Sequence, residues 1–302
     1  MNFISGVLSA AAYEGLIFGL LTIGVYLTFR VLSFPDLGVD ATFPLGGAIA
    51  GIFIVNGYNP FLATFLAFLG GLCAGTVTGL LNTRLRISAL MCGILMMVGL
   101  YSINLRVMGG ANLPMLREDT VFDLIGAFIG MRGGQTLSII CAAVAALVLF
   151  VLLNWFLRTE IGLSLRASGD NEQMVRGLGA DTDKNILLGC AISNGLIALT
   201  GALVAQNQGF VDVGMGIGMI VMALASIIIG EALLKNRGIR SILLACFLGT
   251  FIYRLFLTLA LRVGMRPGDL KLITAVLVIV ALGIPYFKKK LRGEWVPPAA
   301  RM

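Results

Sequence analysis

Residues 159–184 read TEIGLSLRASGDNEQMVRGLGADTDK, a segment of mixed charge between two apolar stretches. Five carboxylates and three basic side chains occur within it. Of all 302 residues, 58% are hydrophobic and 12% are charged, whereas a soluble domain carries about 25% charge. This composition predicts an all-α, polytopic transmembrane helix bundle, formed by residues 1–302 as a single domain, that exposes one polar segment to water.

The residue types exclude several classes of function. Histidine is absent, which removes the commonest metal ligand and the commonest general base near neutral pH. No GxxxxGK[ST] phosphate loop is present, so we expect no catalytic residue, no metal site and no cofactor in this chain. The sequence contains no CxxC pair, so neither a zinc site nor a disulfide framework is supported. All five cysteines lie in apolar runs: Cys73, Cys92, Cys141, Cys190 and Cys246.

The basic residues behind the net charge of +7 cluster in short loops at the ends of apolar spans, as membrane insertion requires, and this distribution argues against nucleic-acid binding. A span needs about 20 apolar residues. We predict nine spans, at 14–32, 40–56, 61–81, 88–106, 136–157, 185–206, 218–234, 241–261 and 270–287. Loops on one side, with the C-terminal tail, hold 14 of the 22 basic residues: 84–86, 158–184, 235–240, 288–292 and Arg301.

The positive-inside rule makes that side cytoplasmic in a multi-pass membrane protein. Its N-terminus then lies outside and its C-terminus in the cytoplasm. Residues 1–13, which lack the basic start of a signal peptide, are predicted to form an external amphipathic segment. The longest external loop is 107–135, and its part at 121–131 is apolar enough for a short helix on the membrane surface.

The second predicted span opens with FPDLGVDATFP at 34–44, which carries two prolines and two carboxylates. Proline cannot donate a backbone hydrogen bond, so we expect a broken helix, buried in protein or lining a wet cavity. We place a translocation path or gate here, at Phe34, Pro35, Asp36, Asp40, Thr42 and Phe43. Capping of a helix at the membrane surface is the alternative for the two carboxylates.

Three further polar residues lie within or at the ends of spans. Asn104 is assigned to the same path, as is Gln206, whose amide could instead satisfy a helix terminus. Arg254 is interpreted as one half of a structural ion pair, with substrate contact as the alternative. FVDVG at 210–214 resembles FPDLG at 34–38, and the two lie at opposite ends of their spans, as an inverted repeat with broken helices would place them.

Residues 159–184 have two interpretations, a solvated linker or a docking element for a soluble partner. Asp170 and Asn171 form a cap-like start before a short helical pattern that Gly177 and Gly179 close. A short helix between glycines favours docking.

Several of these blocks resemble one known family. RASGDNEQMVRGLG at 166–179 and ISNGLIALTGA at 192–202 resemble permeases of ABC importers of the branched-chain amino acid and ribose type. Val175 stands near a usual alanine, and Thr200 replaces a small residue. GLIFGLLTIGVY at 15–26 and FPDLGVDATFPLG at 34–46 resemble a largely uncharacterised tryptophan/tyrosine-type subgroup, and the matching blocks cover most of the chain.

The resemblance implies a permease subunit of the bacterial plasma (inner) membrane that forms the path for an amino acid or related solute. It implies a second permease copy, two cytoplasmic ATPase subunits that hold ATP and Mg²⁺, and an extracytoplasmic substrate-binding protein. An ion-gradient-driven secondary transporter is the alternative. By the same resemblance, the residues that couple to the ATPase are Arg166, Ser168, Gly169, Asp170, Asn171, Glu172, Arg176, Gly177 and Gly179.

Overall fold

The computed structural model describes residues 3–116, 118–129, 135–234, 238–265, 269, 272–280 and 283, and it is an all-α membrane helix bundle, as predicted. Its helices are α1 (Phe3–Tyr26), α2 (Val39–Val55), α3 (Pro60–Thr83), α4 (Ala89–Met108), α5 (Val121–Ile129), α6 (Gln135–Phe156), α7 (Glu160–Asp170), α8 (Glu172–Gly177), α9 (Thr182–Gln208), α10 (Met219–Leu233) and α11 (Ile239–Arg262). Two short strands, β1 (Asn112–Pro114) and β2 (Phe210–Asp212), pair antiparallel.

Within the described residues, six helices are long and apolar enough to cross a membrane: α1, α3, α4, α6, α9 and α11. α2 and α10 are apolar but shorter, at 17 and 15 residues. The predicted ninth span, 270–287, lies partly outside the described residues, which are helical at 272–280. Its existence as a span therefore stays a prediction.

The N-terminal segment differs from the expectation. Residues 3–13 are continuous with the first span in α1, rather than a separate amphipathic segment. The reason is that FISGVLSAAAY contains no proline and no capping break before the apolar run continues, and Val7 and Ala11 are buried. The short helix expected at 121–131 is present as α5, of which residues up to Ile129 are described.

Two ends of the bundle can be told apart by charge. The basic end carries the loop between α3 and α4, the segment 157–181 and the start of α11. Contacts hold this end together, since Arg86 lies 3.6 Å from Asp183 and Arg30 lies 2.8 Å from Glu231. Among the described residues, its exposed basic residues are Arg30, Arg84, Arg86, Arg158, Arg166, Arg176, Lys184 and Arg240. The opposite end carries the β1–β2 pair and α5.

α9 is the central helix, and small residues let its neighbours approach it closely. A Cβ placed on Gly71 or Gly75 of α3 would overlap the carbonyl oxygens of Asn194 and Cys190 on α9. Close backbone approach of this kind is how membrane helices gain van der Waals contact without a hydrophobic driving force. The glycines of α3 therefore pack within the chain.

α2 and α10 both begin inside the bundle instead of at its surface. Five π-helical residues, Leu27–Val31, follow α1 directly, and residues 32–38 then turn back into the protein before α2 begins. Residues 213–218 return inward from the opposite end in the same way before α10 begins. The carboxylate of Asp36 accepts a hydrogen bond from Gly38 N at 2.8 Å, and that of Asp212 accepts one from Gly214 N at 2.7 Å. The two similar sequences thus form the same turn at mirrored positions.

Candidate functional site

The N-termini of the two short helices meet within the bundle. The carboxylate of Asp40, in the first turn of α2, accepts hydrogen bonds from Gly218 N at 2.9 Å and from Ile220 N at 3.0 Å, where α10 begins. A negative charge there also interacts favourably with the dipole of α10. Asp40 is therefore a cap, as the alternative interpretation proposed, but it caps a different helix, and it does so inside the bundle.

Asp36 lies at the centre of a buried hydrogen-bond network. Its side chain is 2% exposed, and its second oxygen accepts from Asn194 Nδ2 at 2.8 Å. Asn194 Oδ1 in turn accepts from Thr42 Oγ1 at 2.8 Å, and its Nδ2 also donates to the Cys190 carbonyl at 3.0 Å. The network joins the loop before α2, the first turn of α2 and the middle of α9. Asn194 was not predicted as a site residue, although it is the single side-chain amide in the apolar run 186–205 of α9, which was the available signal.

The remaining residues predicted for a path lie apart from this network. Phe43 is fully buried and stacks on Phe18 with ring centroids 6.0 Å apart, so it is a core residue. Phe34 is buried in an apolar cluster with Leu32 and Leu165, and Pro35 beside it is half-buried.

Two predicted amides hold helices in place. Asn104 Nδ2 donates to the Ala41 carbonyl at 3.0 Å and so ties α4 to α2. At the opposite end of the bundle, Gln206 accepts from Val121 N at 3.0 Å and donates to Thr64 Oγ1 at 2.8 Å. No described contact brings Gln206 into the Asp36 network.

The segment between α6 and α9 folds as two short helices. α7 and α8 meet at Asn171, whose extended backbone ends the first helix and whose side chain caps the second by accepting from Met174 N at 3.0 Å. α8 ends at Gly177, and Gly179 follows with φ of +85°. This is the glycine-bounded helix that the sequence pattern predicts.

Arg176 fastens α8 to the start of α9. Its guanidinium lies 2.7 Å from the Glu172 carboxylate and 2.6 Å from that of Asp183, and it donates to Thr182 Oγ1 at 2.6 Å. Asp181 caps α9 by accepting from Lys184 N, and this bond, with the nearby Lys184 ammonium, holds the pKa of Asp181 below its ordinary value. These contacts give α8 a fixed orientation.

Most of the residues predicted to couple to an ATPase are exposed, namely Arg166, Asp170, Asn171, Glu172, Arg176, Gly177 and Gly179. Two predicted members face inward instead. Ser168 accepts from Asn185 Nδ2 at 2.7 Å, and Gly169 packs against the Val31 carbonyl. Two apolar residues that were not predicted, Met174 and Leu178, are 62% and 76% exposed, four positions apart.

The inward side of α7 touches the loop that leads to Asp36. A Cβ on Gly169 would overlap the backbone of Val31, and Ser33 Oγ donates to the Gly169 carbonyl at 3.1 Å. Ser33 has φ of +53°, a conformation that non-glycine residues seldom adopt. A continuous line of contacts therefore runs from α7 through residues 31–33 to the Asp36 network.

Comparisons with known proteins agree with the sequence-based resemblance. A family profile described as branched-chain amino acid transport system / permease component matches residues 7–283. The chain is 41% identical to a tyrosine transport system permease protein of Clostridioides difficile (strain R20291), over 97% of each chain. It is 33% identical to uncharacterized protein RP368 of Rickettsia prowazekii (strain Madrid E), over 91% of this chain and 96% of that one.

A more distant relative is the autoinducer 2 import system permease protein LsrC of Photorhabdus luminescens. It is 29% identical over 70% of this chain and 61% of its own length. No solved structure matches the chain.

Proposed function

The chain belongs to the family of branched-chain amino acid transport system permeases, a family of ABC-type import systems, and we propose that it forms the path for an amino acid in an ATP-driven importer. The proposed substrate is an aromatic amino acid, because the tyrosine transport permease is 41% identical over nearly the whole of both chains. The proposed assembly has two copies of this chain, two ATPase subunits and an extracytoplasmic binding protein that delivers the solute.

The observation that carries the proposal is the surface of α7 and α8. Met174 on α8 and Leu178 directly after it are exposed, the Arg176 contacts fix the orientation of α8, and charged side chains surround the two residues. Exposed apolar side chains in a polar rim are typical of an interface that is buried on association. We propose that this surface docks on a cytoplasmic ATPase, so that the basic end of the bundle faces the cytoplasm and follows the positive-inside rule.

The contacts of Gly169 supply a route for motion from the docked segment. Movement of α7 would displace residues 31–33, since the backbones touch at Gly169 and Val31. The chain continues from residues 31–33 to Asp36, whose hydrogen-bond network holds the first turn of α2. Asp40 in that turn caps α10. Small shifts at one site become changes of packing at another where tightly packed elements have discrete arrangements. We propose that the junction of α2 and α10 is the gate.

The experiment compares ATPase capture by surface variants of the full chain. The co-encoded ATPase is co-expressed with the chain carrying Leu178→Ser and Met174→Ser together, and the recovered complex is quantified after purification. We expect loss of the complex with an unchanged unfolding temperature, because both side chains are exposed before docking. Leu116→Ser is the matched control, since Leu116 is 81% exposed at the opposite end of the bundle.

Undiminished capture of the ATPase by the double variant would reject docking through α8. Uptake in cells separates the importer from an ion-gradient-driven transporter. Replacement of the phosphate-loop lysine of the ATPase abolishes uptake by an ATP-driven importer and leaves uptake by a secondary transporter intact.

A further inference from the structure

A cavity of about 550 Å³ lies at the opposite end of the bundle, away from the junction of α2 and α10. It is bounded by α1, α5, α6 and α9, and polar and apolar groups share its walls. Ligand pockets for small molecules fall in the range of about 300–1,000 Å³, so the cavity is large enough for an amino acid. None of the path residues predicted from sequence, other than Gln206, lines it.

The described residues that line the cavity contribute acidic and neutral polar groups. Glu14 and Asp123 contribute carboxylates, and Ser138 and Asn207 contribute neutral polar groups, while no basic side chain is among its described lining residues. One oxygen of each carboxylate is occupied: Glu14 Oε2 lies 3.4 Å from Arg254 Nη1, and Asp123 Oδ2 accepts from Thr120. Within the described residues, the other oxygen of each carboxylate has no hydrogen-bond partner.

Arg254 holds Glu14 from the side of the protein core. Its guanidinium stacks on the ring of Phe18, 3.5 Å from the ring centroid, and it is not a lining residue of the cavity. This agrees with the ion-pair interpretation of Arg254. The pair fixes the carboxylate of Glu14 without filling the cavity.

Tyr13 provides an independent sign of a missing partner. It lines the cavity, is 9% exposed and packs edge-on against Phe122, yet its hydroxyl is buried without a hydrogen-bond partner in the described part of the chain. Buried polar groups in native proteins are almost always satisfied, so the unsatisfied hydroxyl of a residue that lines a polar cavity is a group that a bound solute would satisfy.

We infer that this cavity is a binding site for the primary ammonium group of a small solute, with the carboxylates of Glu14 and Asp123 as acceptors and the Tyr13 hydroxyl as a further contact. An ammonium group offers three donors and a positive charge, which match the acceptor groups of a cavity whose described lining residues include no basic side chain. The inference rests on the proposed function for the identity of the solute as an amino acid. It adds a place, at the end of the bundle opposite the docking surface, where the chain itself recognises that solute.

The test uses the full chain in lipid nanodiscs without any ATPase. Ser138→Cys places a thiol in the wall of the cavity, in a background where the exposed thiol of Cys73 is removed by Cys73→Ala. Its reaction rate is measured with methanethiosulfonate reagents that carry an ethylammonium or an ethylsulfonate group. We expect the cationic reagent to react about tenfold faster, because a cleft of one sign concentrates the opposite charge.

Protection of the thiol then tests recognition. Tyramine, which has the amine without a carboxylate, should slow the modification, and 3-(4-hydroxyphenyl)propionate, which has the carboxylate without an amine, should not. Glu14→Gln and, independently, Asp123→Asn should each reduce both the rate ratio and the protection, and Tyr13→Phe should weaken protection while leaving the ratio unchanged. Glu231→Gln, at the basic end, is the carboxylate control and should change neither.

Equal rates with the two reagents, equal protection by the two probes, or a thiol that neither reagent reaches would each overturn the inference. Because this assay involves no ATPase and no transport, its outcome is separate from that of the uptake experiment. If tyramine protects the Ser138→Cys thiol but cells with the chain take up no amino acid, this inference stands and the proposed function is rejected.

Discussion

Exchanging Asp36 and Asn194 tests whether their buried hydrogen bond organises the start of α2. In Asp36→Asn, one oxygen can still accept from Gly38 N, but the new amide nitrogen faces the Nδ2 of Asn194, donor against donor. A charge-assisted hydrogen bond contributes about 1.5–3 kcal/mol, and a buried unsatisfied donor costs about 1–3 kcal/mol. We expect a loss of about 2–4 kcal/mol in the free energy of unfolding.

Asn194→Asp alone should destabilise by at least as much. It sets a second carboxylate against Asp36 and removes the amide donor from the Cys190 carbonyl. A buried charge that loses its compensating partner lowers the free energy of unfolding by about 3–5 kcal/mol. The Thr42 hydroxyl, which donates to Asn194 Oδ1, can still donate to the introduced carboxylate.

The double exchange restores one donor opposite one acceptor. Only the bond to the Cys190 carbonyl is then lost, so we expect the double variant to be less destabilised than the sum of the single variants by about 2 kcal/mol. The measurement is the free energy of unfolding of all four proteins in mixed micelles, followed by circular dichroism. Thr200→Val, which breaks the neutral buried bond of Thr200 Oγ1 to the Leu196 carbonyl, sets the scale for one ordinary hydrogen bond.

Additive losses, within about 0.5 kcal/mol, would refute the reasoning, because coupling is the signature of a direct interaction. Uptake by the Asp36→Asn variant is measured alongside. The proposed gate predicts altered uptake at temperatures where this variant remains folded.

Two further predictions concern the line of contacts between α7 and α10. Gly169→Val should leave ATPase capture intact but reduce uptake at least about tenfold, because its side chain overlaps the Val31 backbone and displaces α7. Gly99→Val, at a site with open space in α4, is the control. Unchanged uptake with Gly169→Val would remove residues 31–33 from the coupling route. Asp40→Ala should lower the free energy of unfolding by about 2–4 kcal/mol, because two backbone donors of α10 lose their acceptor, and Asp40→Asn should cost about half as much. An Asp40→Ala variant as stable as the unchanged chain would show that α10 does not depend on this cap.

Local chemistry made parts of the candidate site predictable. The capping of α8 by Asn171 and its end at Gly177 follow from side chains and backbone preferences within a few residues, and a short-range pattern is sufficient for them. The turn at Asp36 and its counterpart at Asp212 are also local, because each carboxylate binds an amide two residues later.

Contacts between distant segments were not predictable in the same way. Asn194 and Asp36 are 158 positions apart, Asp40 and Gly218 are 178 apart, and no periodicity relates them. For the same reason, the sequence did not show that Phe43 stacks on Phe18 or that Asn104 ties α4 to α2.

The sequence by itself determined that the chain is an all-α membrane bundle with one polar segment, because the apolar runs must satisfy their backbone hydrogen bonds internally and charged residues must remain in water. The same composition placed residues 159–184 outside the membrane. Only the tertiary structure decided what each polar residue touches. Asp40 caps α10, Gly169 faces inward, and Met174 and Leu178 are exposed. Packing between helices that are distant in sequence sets these contacts, so the sequence alone does not show them.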